Sequence, residues 1–99
     1  MKFISMLAGD RYVIDAEVAG AYTMVLIGRA DATTVEKIIF QLFPLQGAGS
    51  GEPTSKEFLE RAARIAIWHF EKRPPKFERV NLFGYEDHAP MFDGELIAV

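Results

Sequence analysis

Glu86, Asp87, His88 and Asp93 place carboxylates and an imidazole in one short segment near the end of the chain. Such groups can hold a divalent cation or move a proton. The spacing follows neither a twelve-residue calcium loop nor a HExxH helix, so a solvated polar loop is the simpler expectation. The other histidine, His69, follows Trp68. An imidazole titrates near neutral pH and could serve as a general base, with Glu86 or Asp87 approaching to orient it. Asp15 and Glu17 alternate along one face of a strand-like segment and could act as paired carboxylates, although the same pattern describes an ordinary solvated face.

The nucleophile inventory is thin. The chain has no cysteine, and Gly49-Ser50-Gly51 is not a GxSxG elbow. Gly47-Ala48-Gly49-Ser50-Gly51 precedes a helical pattern as phosphate loops do, but no Gly-Lys-Ser/Thr follows it. A flexible linker accounts for it better. No cofactor and no metal is implied. Lys72, Arg73, Lys76 and Arg79 with Phe70 and Phe77 interleave cations and rings in the manner of a nucleic-acid contact. A formal net charge of −3 gives no general attraction to phosphate backbones, so direct nucleic-acid binding is not expected.

The elements that must position these groups are legible from periodicity. Lys2 to Leu7 is a short apolar strand, and Gly9-Asp10 marks a turn. Tyr12 to Val18 alternates, with Tyr12, Ile14, Ala16 and Val18 on one face and Val13, Asp15 and Glu17 on the other. Tyr22 to Ile27 is apolar on both faces, as a central strand is. Thr33-Thr34-Val35-Glu36 matches a capping box, and Val35, Ile38, Ile39, Leu42 and Phe43 form a helical stripe that stops at Pro44. Thr54-Ser55-Lys56-Glu57 is a second capping box, opening a helix that stops at Pro74. Val80 and Leu82 oppose Asn81, Phe83 and Tyr85 on a further strand, and Glu95 to Val99 completes a C-terminal hairpin.

These patterns predict an α+β fold: an antiparallel sheet of four to five strands, in the order β-β-β-α-α-β-β, with two helices packed on one face. With 99 residues the chain is expected to form a single domain over 1–99, with a flexible glycine-rich connection at 44–53. Met1 to Ala8 is too short an apolar run for a signal peptide, and no run approaches a membrane span. The absence of cysteine fits a reducing compartment, and a cytoplasmic location is expected.

The second helix carries more apolar surface than one stripe requires, at Phe58, Ile65 and Trp68. Phe40, Phe83, Tyr85, Met91 and Phe92 add to that surplus. Surplus rings on a small chain either fill the core or mark a partner surface. Small, acidic, cysteine-free α+β chains resemble phage-encoded inhibitors, including some anti-CRISPR proteins, in class and size; no particular residue carries that likeness. The expected function is a small non-enzymatic protein-binding module, an inhibitor that occludes a partner such as a nucleic-acid-binding complex, or a homodimer. Asp15, Glu17, Trp68, Phe83 and Tyr85 are its candidate binding residues. The alternative is a small enzyme or ligand-binding domain using His69 or His88 with Glu86 or Asp87.

Overall fold

A computed structural model describes residues 1–30, 37–43, 56–72, 79–84 and 90–99. In chain order these form β1 (Lys2–Leu7), β2 (Asp10–Ala19), β3 (Tyr22–Arg29), β4 (Lys37–Phe43), α1 (Lys56–Lys72), β5 (Arg79–Phe83) and β6 (Ile97–Ala98). The strands make one six-stranded sheet in the order β5-β4-β3-β2-β1-β6. β1 to β4 form an antiparallel meander, β5 lies parallel to β4, and β6 returns antiparallel to β1.

The two hairpins at the start are tight. Leu7 pairs with Asp10 around Ala8-Gly9, and both turn residues have positive φ, 51° and 85°. That is the backbone of a type I′ turn, whose twist suits the flanking strands. Gly20, at φ 70°, opens the Gly20-Ala21 turn between Ala19 and Tyr22.

This architecture corrects the expected one. The sheet is mixed, has six strands, and among the described residues is covered by a single helix. The segment expected to be the first helix is β4: Lys37-Ile38-Ile39-Phe40-Gln41-Leu42-Phe43 pairs with β3 from Thr23 to Gly28. A dense apolar run satisfies helical and strand periods together. Two β-branched isoleucines and two phenylalanines favour the strand, and β3 supplies a ladder that an isolated helix lacks. The Thr33 capping box and the connection at 44–53 lie outside the described residues. The expected C-terminal hairpin is also corrected, since β5 and β6 occupy opposite edges of the sheet.

The second helix forms as its sequence indicates, with Glu57 in the first turn and Lys72 in the last to complement the helix dipole. It lies in the crossover between the parallel strands β4 and β5 and covers one face of the sheet. That face is the core: Phe3 and Leu7 of β1, Ile14 and Ala16 of β2, Val25 and Ile27 of β3, and Phe40 and Leu42 of β4 are buried. α1 meets them with Leu59, Ala62, Ala63, Ile65, Ala66 and Ile67. The three alanines let helix and sheet approach closely. Phe70 packs edge-to-face on Tyr12, with ring centroids 5.4 Å apart. The helix is neither long nor apolar enough to cross a membrane, and no other helix is present among the described residues.

Residues 90–98 run as an arm from the helix to the β1 edge. Arg64 of α1 holds the arm with its guanidinium, donating from Nη1 to the carbonyls of Phe92 (3.0 Å) and Gly94 (2.8 Å). Glu60 fixes the guanidinium from one turn away, at 3.2 Å. The Phe92 N–H in turn donates to the Arg64 carbonyl, and the Ser5 hydroxyl donates to the Glu95 carbonyl at 2.6 Å. These bonds place β6 beside β1, where the sequence offered only a short terminal strand.

Candidate functional site

Strand alternation sends every second side chain away from α1. The cross-strand register therefore specifies what the opposite face carries. Met6 and Ile4 of β1 stand beside Arg11 and Val13 of β2; Val13 opposes Gly28 of β3; Leu26 of β3 opposes Ile39 of β4; and Met24 opposes Gln41. At the far corner Tyr22 of β3, Phe43 of β4 and Phe83 of β5 follow one another across three strands. Their rings form a ladder: Tyr22 and Phe43 are 5.2 Å apart, and Phe43 stacks on Phe83 at 4.8 Å with 15° between planes.

The result is a continuous apolar stripe running diagonally across the face opposite α1, from Met6 through Ile4, Val13, Leu26, Ile39 and Met24 to the aromatic ladder. Its ends are the most open parts, with Met6 62% and Phe83 74% exposed. The middle is half-buried. Among the described residues, the elements packed on the sheet lie on the other side.

Charges flank the stripe on both sides. On one side are Lys2, Asp15 and Glu17; on the other, Arg79 of β5 lies opposite Ile39. Asp15 is already engaged within the chain. Its Oδ1 is 3.5 Å from the Met1 amine, and Lys2 opposes it across the ladder. Glu17 and Arg79 are both exposed and have no ion-pair partner among the described residues.

Three of the expected binding residues share this face, Asp15 and Glu17 on β2 and Phe83 three strands away on β5. Trp68 does not join them. It lies on α1, on the other side of the sheet, where it makes an edge contact with His69 and stands 6.0 Å below the Lys72 ammonium. With Glu71, Lys72, Met91, Phe92 and Asp93 it lines an open groove of about 300 Å³. Tyr85 lies outside the described residues. The apolar residues that make up most of the surface, Met24, Leu26, Ile39 and Phe43, were absent from the expected site. Their signal was the two-sided hydrophobicity of Tyr22–Ile27, which predicts a strand with apolar side chains on both faces; among the described residues, one of those faces has no covering layer.

The surplus inferred for the helix is corrected as well. Ile65 is fully buried in the core, and Phe58 packs against it. Phe40, off the supposed helical stripe, is a core residue of β4.

The proton-transfer candidates do not assemble among the described residues. Burial lowers the pKa of His69 below its usual 6.5 by desolvation. No carboxylate is hydrogen-bonded to its ring among the contacts of the described residues, and Glu86, Asp87 and His88 lie outside them. No cluster of three His, Cys, Asp or Glu side chains suited to a metal occurs among the described residues. The basic run is divided too: Lys72 stands over the helix and Arg79 on the open sheet face, with Arg73 and Lys76 outside the described residues.

No protein-family model, no curated protein and no solved structure matches the chain.

Proposed function

We propose that this chain is a non-enzymatic protein-binding module that works through the face of its sheet opposite α1. The observation that carries this is the continuous apolar stripe from Met6 to Phe83, ending in the stacked Phe43–Phe83 pair. An antiparallel sheet with one solvated face ordinarily alternates apolar and polar residues, and β3 does not. A contiguous apolar surface rimmed by charge, with aromatics and methionines at its centre and ends, has the composition of a protein interface. Used on another protein, such a face occludes the partner's own surface, which is how a small inhibitor acts.

A photo-crosslinking side chain at Phe83 tests this in the producing cell, with one at Arg61 on the exposed side of α1 for comparison. Protein adducts, to this chain or to another, are expected from position 83 and not from position 61. Adducts from position 61 alone would move the binding surface to the helix.

A further inference from the structure

Resting on the open face being a protein-binding surface, we infer that its occupant is a second copy of this chain, packed face to face about a two-fold axis that runs along the apolar stripe.

The geometry follows from the register. With strands about 4.8 Å apart and residues about 3.4 Å apart along each, the stripe from Met6 to Phe83 is about 33 Å long, and Leu26 lies at its midpoint. A two-fold axis along that line, in the plane between facing copies, lays the stripe on itself and exchanges its flanks. Leu26 meets Leu26, Met6 meets Met6 and Phe83 meets Phe83, as a self-complementary interface requires.

The exchange of flanks is what selects a second copy over an unrelated apolar partner. On the flat grid, the rotation carries Glu17 to within about 3 Å, in projection, of Arg79 of the second copy. Packed sheets lie about 10 Å apart, which the extended side chains of a glutamate and an arginine span together. Glu17 and Arg79 are exposed and unpaired among the described residues, and they have opposite charge. Two-fold symmetry forms the pair twice. Asp15 has its partners within its own chain and is not needed for this match.

The area is also of the right size. The five strands from β1 to β5 present a face of roughly 20 Å by 27 Å on the same grid. That is roughly 500 Å² in plan before side-chain relief is added, of the order of the ~800 Å² per partner in a stable complex.

Sedimentation equilibrium of the purified full chain tests this through a charge exchange. The 11.1 kDa chain should sediment at twice that mass at about 100 μM, a concentration above the Kd of a micromolar complex. Glu17→Arg and Arg79→Glu should each weaken the dimer by about 10-fold or more, since each places like charges together twice. The double variant Glu17→Arg/Arg79→Glu should restore the Kd to within about 3-fold of the original, because the pair is re-formed with its sign reversed. Both positions are exposed strand sites, and circular dichroism of each variant is the check that it folds. A wild-type chain that stays at 11.1 kDa overturns the dimer. If position 83 still crosslinks to another protein, the binding-module function survives that result. A dimer that ignores both single substitutions, or that the double variant fails to restore, overturns this docking.

Discussion

Replacing Arg64 by methionine should release the C-terminal arm while leaving the sheet intact. The substitution keeps the aliphatic stem that lies along α1 and removes the guanidinium. Two bonds to the arm are lost, to the Phe92 carbonyl at 3.0 Å and the Gly94 carbonyl at 2.8 Å, together with the guanidinium's contacts to Glu60 within α1. A hydrogen bond to a charged group contributes about 1.5–3 kcal/mol, so the pair is worth about 3–6 kcal/mol at most. Two effects reduce that figure. The Arg64 side chain is 23% exposed, so water screens part of the interaction. The freed carbonyls can also be hydrated once the arm lifts. About 2–3 kcal/mol is a reasonable net cost to arm docking, or roughly 30- to 150-fold in its opening equilibrium.

Native-state amide exchange reads this residue by residue. The Phe92 N–H, bonded to the Arg64 carbonyl, and the Val99 N–H, bonded to the Lys2 carbonyl, report on the arm. Both should exchange roughly 30-fold faster or more, while the amides of β3 change by less than about 3-fold. Arg64→Lys should behave almost as poorly, because an ammonium lacks the planar fork that reaches both carbonyls while being held by Glu60. Unchanged arm protection would show that the β6 ladder and the Ser5–Glu95 bond hold the arm unaided. An equal loss in β3 would show that the arm and sheet open as one unit.

Ala8 occupies the left-handed region at φ 51°, which costs an L-residue with a β-carbon about 1–2 kcal/mol. Ala8→Asn should create the favoured Asn-Gly type I′ turn and stabilise the chain by about 1 kcal/mol, raising the Tm by roughly 4–8 °C; a lower Tm would refute the turn assignment. Ala66 is fully buried between helix and sheet, so Ala66→Leu should overpack that contact and cost about 1–3 kcal/mol in a urea titration, whereas an unchanged midpoint would place α1 farther from the sheet. His69 has a pKa lowered by burial, so the native state favours its neutral form. Its contribution to stability is present above the unfolded value of about 6.5 and is lost as pH falls from there through the folded pKa. His69→Gln should flatten that part of the stability–pH curve below pH 6.5, and an unchanged slope would assign the dependence to other groups.

The sequence made some elements plain and concealed others for identifiable reasons. The alternation of Tyr12–Val18 correctly separates Ile14 and Ala16 in the core from Asp15 and Glu17 outside. Lys56–Lys72 carries a helical period with strong helix formers, and local preference and tertiary packing agree there. Ile38–Phe43 fits both periods, and only the ladder to β3, a non-local partner, decides in favour of a strand. The place of β6 was hidden for a related reason. Nothing in Glu95–Val99 specifies β1 as its neighbour; the carbonyl bonds from Arg64 and Ser5 direct the arm there. As for the candidate surface, Asp15, Glu17 and Phe83 were legible as outward-facing. The apolar stripe joining them became visible once β4 was a strand, because Ile39 and Phe43 then share a face with Leu26 and Tyr22.

Methionine oxidation tests the central claim most directly, since Met6 and Met24 lie on the stripe and Met91 lies on the helix side. Peroxide converts an accessible thioether to its sulfoxide, and peptide mass spectrometry resolves the rate at each site. If the open face is the binding surface and a second copy occupies it, Met6 and Met24 should oxidise more slowly as protein concentration rises from about 1 μM to about 100 μM, the range over which a micromolar complex assembles. Met91 should oxidise at a constant rate throughout. Protection at Met91 with none at Met6 and Met24 would contradict the account and place the contact on the helix side of the molecule.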